Sequence, residues 1–147
     1  MSSYLTVIEA QTYFSTRLGT ESWDEATLTD REKALAMATR CINRYNYLGE
    51  KADSSQENQF PRGEDTEVPE DIKIACSEIA LSYLDGIDPG LELENLNIVH
   101  QGVDTAKTTY NRDFAAEHLA NGCPSAIAWM YLKPYLRDSQ NISLSRV

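Results

Sequence analysis

Two stretches with helical periodicity, joined by a long acidic segment, constrain the fold of this chain most strongly. From Ile72 to Leu84, apolar residues recur at steps of three and four, the spacing of one face of a helix. From Ala34 to Tyr45 the spacing is the same, and small alanines there would let a partner helix approach closely. The sequence therefore predicts a mainly α fold, a small bundle of about four helices, built around this pair.

Two pairs of residues have the spacing of a capping box, in which two side chains satisfy backbone N–H groups that the first helical turn leaves free. Thr6 and Glu9 predict a first helix over about residues 7–18. Thr29 and Glu32 predict that the helix containing the stretch from Ala34 to Tyr45 begins directly after Thr29.

Prolines mark the later helices. Pro69 suits the first position of a helix, where a missing N–H costs nothing. Cys123, Pro124 and Ser125 precede a last helix, which Pro134 must disturb because it has no N–H to donate to the preceding turn.

Residues 97–110 contain two short runs enriched in β-branched and aromatic residues, which predict a short β hairpin or extended arm. The segment just before them, Leu91 to Asn95, fits either a helical turn or a strand. We expect residues 1–136 to form a single helical domain and residues 137–147 an extended C-terminal tail.

The connector between the paired helices, residues 50–68, is longer than most loops of a compact domain. Residues 50–71 contain eight acidic residues and two basic ones, a local charge of −6. An aromatic ring beside a proline of fixed φ would order the middle of this loop. Four side chains are expected to anchor the connector and the helices to the core: Trp23, Phe60, Pro61 and Trp129.

The net charge of −10, from 13 basic and 23 acidic residues, argues against a module that binds nucleic acid by neutralising phosphates. Aromatic residues stand beside a base at Arg44-Tyr45-Asn46-Tyr47. A platform for stacking single-stranded bases would need such a pattern. The sequence favours a different arrangement, with Tyr45 in the core and Tyr47 at its edge.

Catalytic and metal-binding patterns are missing from the sequence. Cys41, Cys76 and Cys123 are odd in number and lack a CxxC spacing, which is typical of reduced thiols. His100 and His118 have no ligand partner at helical spacing. We expect no catalytic residue, cofactor or metal, and no enzymatic activity. No apolar run approaches the length of about 18 residues that spans a membrane, and no signal peptide is recognisable, so we expect an aqueous, cytoplasmic setting.

The C-terminal residues Ile142, Leu144 and Val147 alternate with polar ones. This alternation suits an extended strand that binds to the sheet edge or groove of a neighbour. A disordered terminus is the other interpretation, and the pattern does not decide between them.

Four segments together resemble the head-tail connector, or adaptor, proteins of tailed bacteriophages: residues 34–43, the phrase Gln59-Phe60-Pro61-Arg62, residues 68–78 and residues 129–136. The resemblance covers about residues 28–147. Some relatives in that group carry a label that compares them with DnaT, a primosomal single-stranded-DNA-binding protein.

The resemblance implies a structural adaptor in the neck of a virion, made in the host cytoplasm. It implies a homo-oligomeric ring, a dodecamer, below the portal protein, which extends the DNA channel and contacts a tail-side neck or terminator protein. DNA would pass through without specific binding. Expected contacts to the portal or a neighbour are Ile142, Leu144, Arg146 and Val147, and expected channel-facing residues are Glu64, Asp65 and Glu67.

The alternative function is that of a single-stranded nucleic-acid-binding accessory protein. Its expected contacts are Arg40, Arg44, Tyr45 and Tyr47.

Overall fold

The computed structural model describes residues 3–101 and 117–137, which are mainly α-helical. The elements are α1 (Val7–Phe14), α2 (Glu21–Glu25), α3 (Leu28–Asn43), α4 (Glu70–Leu84), α5 (Pro89–Gln101), α6 (Glu117–Ala120), α7 (Ala126–Leu132) and a 3₁₀ helix (Lys133–Tyr135). The predicted mainly α class is confirmed. None of these helices is long and apolar enough to cross a membrane.

Helix α4 is the central element of the core. It packs against α3 and α7 and also contacts α1 and α2. Because it has neighbours on several sides, its buried residues extend beyond one apolar stripe: Ile72, Ala75, Cys76, Ser77, Glu78, Ile79, Ala80 and Leu81. The predicted packing of the two periodic stretches is confirmed as the contact between α3 and α4.

Helix α1 begins as predicted but ends earlier. Thr6 Oγ1 accepts a hydrogen bond from the Glu9 N–H at 3.1 Å, and Glu9 Oε1 accepts one from the Thr6 N–H at 2.9 Å. The helix ends at Phe14 rather than near residue 18. Just beyond it, the Ser15 and Thr16 hydroxyls donate to carbonyls three residues back, at 2.6 and 2.8 Å. Such bonds offer the backbone an alternative to another helical turn.

Helix α3 begins two residues before the predicted position. Thr27 is its N-cap, and Thr27 Oγ1 accepts from the Asp30 N–H at 3.1 Å. The capping box predicted at Thr29 and Glu32 is therefore wrong, because an equally suitable cap residue precedes it and lengthens the helix.

The predicted β hairpin at residues 97–110 is wrong over its first part. Residues 97–101 continue helix α5, and residues 102–110 lie outside the described part of the chain. Asp88 Oδ1 accepts hydrogen bonds from the Gly90 and Leu91 N–H groups, at 2.9 and 3.3 Å, and so starts a helix. The segment from Leu91 to Asn95 is accordingly helical. Strand propensity depends strongly on context, and here the helix prevails.

The connector folds back on itself between α3 and α4. Lys51 and Arg62 form an isolated antiparallel bridge, and the Gly63 N–H donates to the Glu50 carbonyl at 2.8 Å. Near its middle, the Phe60 ring packs against three tyrosine rings, Tyr4, Tyr47 and Tyr135, with centroids 4.7–6.1 Å apart. Of the expected core anchors, Trp23, Phe60 and Trp129 are buried and Pro61 is half-buried.

Candidate nucleic-acid interface

Three basic residues line one groove between the end of α3 and the C-terminal turn. The groove has a volume of about 470 Å³ and is lined by Arg44, Tyr45, Asn46, Glu117, Asn121, Trp129, Lys133, Pro134, Leu136 and Arg137. Among these lining residues the charged ones are three bases and one acid, in a chain whose net charge is −10. We call this feature the basic groove.

A short backbone pairing brings the C-terminal bases beside α3. Tyr47 and Leu136 form an antiparallel bridge. The Leu48 N–H donates to the Tyr135 carbonyl at 2.9 Å, and the Arg137 N–H donates to the Asn46 carbonyl at 3.0 Å. The 3₁₀ helix that carries Lys133 continues directly from α7, so Lys133 and Arg137 both reach the groove.

The turn after α6 fixes the opposite wall. Gly122 has φ +80°, a left-handed conformation that ends the helix, and the Cys123 N–H donates to the His118 carbonyl at 2.8 Å. Any other residue would be strained at this φ. The Gly122 carbonyl, held in this way, accepts a hydrogen bond from Arg44 Nη2 at 3.4 Å. Arg44 is therefore oriented along the groove wall.

Glu117 is the acid in the groove, and it is paired. Its Oε2 lies 2.9 Å from Lys133 Nζ and accepts a hydrogen bond from Trp129 Nε1 at 2.7 Å. The hydrogen bond from Lys133, with that from Trp129, lowers the pKa of Glu117 below its usual range. Near neutral pH the carboxylate is thus charged and partly neutralises Lys133.

The aromatic residues of the groove are mostly engaged within the protein. The rings of Tyr45 and Trp129 meet edge to face with centroids 5.3 Å apart, and Trp129 is only 8% exposed. The Tyr45 hydroxyl donates to the Asn121 carbonyl at 2.8 Å. Trp129 is too deeply buried to offer the open face that a stacked base needs, and Tyr45 is half-buried against it. A strand in this groove would therefore be held chiefly by charge and hydrogen bonds.

The expected order of Tyr45 and Tyr47 is reversed. Tyr47 is 2% exposed, and its hydroxyl donates to the Ile42 carbonyl at 2.6 Å, whereas Tyr45 is half-buried at the groove. The expectation was wrong because α3 ends at Asn43, so helical periodicity does not apply to either tyrosine. Tyr47 is a core residue and cannot contact a base.

The other residues singled out from the sequence lie elsewhere. Arg40 is exposed on α3, one turn before Arg44, and is not among the lining residues of the groove. The acidic residues Glu64, Asp65 and Glu67 are exposed on the connector. The tail residues Ile142, Leu144, Arg146 and Val147 lie outside the described part of the chain.

Sequence reasoning missed Glu117, Lys133 and Arg137 as groove residues, because they follow Arg44 by more than 70 positions. One signal was present in the sequence. Residues 122–137 contain two bases and no acid, which is unusual in a chain this acidic.

In residues 3–101 and 117–137, no group of three or more His, Cys, Asp or Glu side chains could hold a metal ion. Cys41, Cys76 and Cys123 are free and buried. The Cys41 sulfur lies behind the basic groove, 3.6 Å from the Tyr45 hydroxyl oxygen.

Comparison with known families identifies one that matches the whole chain, residues 1–147, and is described as "Putative DnaT-like ssDNA binding protein". No curated protein and no solved structure matches the chain significantly.

The match overturns the expectation of a phage head-tail adaptor in the neck of a virion, and it favours the alternative of single-stranded DNA binding. The adaptor interpretation came from the resemblance of four segments. The argument against nucleic-acid binding relied on the net charge of the whole chain, which conceals the local excess of bases in the basic groove. Since the family covers the chain from end to end, this protein belongs to the DnaT-like family.

Proposed function

We propose that this protein binds single-stranded DNA in the basic groove, without catalysis. The main observation in its support is that Arg44, Lys133 and Arg137 line one groove. The description of the family, which names single-stranded DNA binding, points the same way. Flexible cationic side chains lining a groove are the usual way to follow a single-stranded backbone.

The three bases would contact phosphates, and the groove would read little sequence. Phosphate contacts position a strand, whereas base contacts specify it. Tyr45 and Trp129 are occupied with each other, and the exposed Pro134 offers only a small apolar surface. We therefore expect similar affinities for strands of different sequence.

The acidic remainder of the surface limits where a strand can bind. A chain with ten more acids than bases repels phosphates on average, and the basic groove is a local exception. Binding should consequently be moderate in affinity, confined to the groove and most easily measured at low ionic strength.

The test is a fluorescence-anisotropy titration of a labelled single-stranded oligothymidylate, repeated at increasing salt concentration. Three phosphate contacts predict that the logarithm of the association constant falls with the logarithm of the salt concentration with a slope of about −2. A slope near zero, or the absence of binding at low salt, would contradict the proposal.

Matched variants locate the binding site. Lys133→Gln and Lys33→Gln remove the same charge from exposed lysines, but only Lys133 lines the basic groove. We expect Lys133→Gln to lower the affinity and the salt slope, and Lys33→Gln to change neither appreciably. Equal effects of the two variants would indicate diffuse attraction rather than binding in the groove.

A further inference from the structure

Two of the three cysteines, Cys41 and Cys123, lie close together behind the basic groove. Cys41 belongs to α3, three residues before Arg44, and Cys123 directly follows Gly122 in the turn between α6 and α7. The Cys41 sulfur lies 3.8 Å from the Gly122 carbonyl oxygen, which also accepts a hydrogen bond from Arg44. The Cys41 side chain therefore reaches the peptide group that joins Gly122 to Cys123.

The two thiols differ in how readily they lose a proton. Hydrogen bonding from the Cys123 thiol lowers the pKa of Cys41, and Tyr45 and Arg44 act in the same direction, whereas burial opposes them. Hydrogen bonding to Cys41 and burial both raise the pKa of Cys123. The thiolate is the nucleophilic form of cysteine. Cys41, beside the cation, is thus the nucleophile of the pair, and Cys123 is the second thiol next to it.

Cys76, the third cysteine, is in a different environment. Its sulfur lies 3.6 Å from the Thr39 hydroxyl oxygen and donates to the Leu35 carbonyl at 3.8 Å. Burial raises the pKa of Cys76 to about 12. Near neutral pH its thiol stays protonated and reacts slowly. Cys76 is therefore an internal control for the reactivity of the other two.

Access to the pair depends on the turn after α6. Cys41 is 2% exposed and Cys123 is 0% exposed, so a reagent must enter through a local opening. Helix α6 has four residues, and none of them is buried. Segments with few buried contacts open at a low cost in free energy. The pair is accordingly shielded from bulky reagents but open to an oxidant of nearly the size of water.

We propose that Cys41 and Cys123 are a redox site, which hydrogen peroxide converts into a reversible disulfide. The Cys41 thiolate attacks one peroxide oxygen, the O–O bond breaks, and the departing hydroxide takes up the proton that Cys41 lost. Cys41 is then a sulfenic acid. The Cys123 sulfur gives up its proton and attacks the Cys41 sulfur, and the S–O bond breaks as hydroxide leaves with that proton as water. Two thiols are oxidised and one peroxide is reduced to two waters.

The disulfide joins the two walls of the basic groove. It connects α3, which carries Arg44, to the turn that contains Gly122. The link closes a loop of about 80 residues, which restricts the unfolded chain and so stabilises the folded one. Thiol reductants reverse it by exchange. The inference does not rest on nucleic-acid binding, because its tests contain no DNA.

The test uses the unaltered, reduced chain and one equivalent of hydrogen peroxide near neutral pH. Remaining thiols are alkylated in urea, and a digest without reductant is analysed by mass spectrometry. We expect a chain lighter by two hydrogens, in which Cys41 is linked to Cys123 and Cys76 is alkylated. The link should exceed any link to Cys76 roughly tenfold or more. A chain unfolded in urea before oxidation should lose this preference.

Two variants and a stability measurement complete the test. In Cys123→Ala, oxidation should stop at the sulfenic acid of Cys41, which dimedone traps. Cys76→Ala is the matched control and should form the link like the unaltered chain. The urea midpoint of the oxidised chain should lie above that of the reduced chain, and dithiothreitol should restore the lower value.

The result with the unaltered chain decides the proposal even if a variant fails to fold. A link that includes Cys76, a link between two molecules, or three thiols left intact by the peroxide would each overturn it. A urea midpoint that is unchanged or lower after oxidation would also contradict it, because the disulfide would then not join the two walls of the folded protein.

Discussion

Lys133 Nζ and Glu117 Oε2 lie 2.9 Å apart in the basic groove. The Glu117 carboxylate therefore occupies the place beside Lys133 that a phosphate would take. A strand must compete with Glu117 for Lys133. We expect Glu117→Gln to raise the affinity for single-stranded DNA roughly fivefold, because about 1 kcal/mol, the free energy of one exposed ion pair, no longer opposes binding. The amide oxygen can still accept from Trp129 Nε1. Anisotropy titration measures the change, and Glu25→Gln, an exposed acid outside the groove, is the control. An unchanged affinity in Glu117→Gln would argue against phosphate contact at Lys133.

Arg62 holds the connector closed. Its guanidinium donates to the carbonyls of Leu48, Gly49 and Gln59 at 2.8, 2.6 and 3.1 Å. A lysine cannot reproduce this planar fork of donors. We expect Arg62→Lys to lower the free energy of unfolding by about 2 kcal/mol, because hydrogen bonds from a charged donor to three carbonyls are disrupted.

Urea denaturation followed by circular dichroism checks the Arg62 prediction. Arg40→Lys, the same substitution at an exposed position of α3, should change stability little. If both variants were equally stable, the hydrogen bonds of Arg62 would contribute nothing net to the fold.

Local patterns of the sequence predicted the elements whose signals are short-ranged. The capping box of Thr6 and Glu9 and the apolar face of α4 were both found as predicted. The start of α3 was predicted two residues too late, because two residues there could serve as its N-cap. Residues 97–101 were predicted as a strand and are helical, because their β-branched side chains also favour strands.

The basic groove could not be predicted from the sequence as a whole. It depends on the pairing of Tyr47 with Leu136, which joins segments nearly 90 residues apart, and local periodicity carries no information about such a contact. Net charge was also a poor guide to the basic groove. It argued against nucleic-acid binding for the chain as a whole, whereas attraction of a strand would depend on the charge within one groove.

Glu78 is a buried carboxylate whose charge is compensated by Arg17. Its side chain is 3% exposed, Arg17 Nε and Nη2 donate to its two oxygens at 2.6 and 3.0 Å, and the Tyr13 hydroxyl donates at 2.5 Å. Arg17→Met would leave a charge buried without its cation. We expect the free energy of unfolding to fall by about 3 kcal/mol.

Replacing both partners of the Arg17–Glu78 pair distinguishes the contribution of the ion pair to stability from that of side-chain packing. The double variant Arg17→Met/Glu78→Leu should recover most of the loss, because no uncompensated charge remains. Lys73→Met breaks the more exposed pair with Glu9, 3.0 Å apart, and should cost less than about 1 kcal/mol. Urea midpoints compare the variants. A double variant as unstable as the single one would show that Arg17 acts through packing alone.

His118, on α6 behind the basic groove, should make stability depend on pH. Burial lowers the pKa of its imidazole below the ordinary 6.5, although neighbouring Glu117 opposes the shift. The unfolded chain then binds a proton more readily than the folded one, so stability falls as the pH drops from about 6.5 through the lowered folded pKa. Denaturation at a series of pH values should show this slope, and His118→Gln should flatten it.

In a His100→Gln chain the remaining imidazole signal belongs to His118, so nuclear magnetic resonance titration measures its pKa directly. A midpoint at or above 6.5 would refute the prediction.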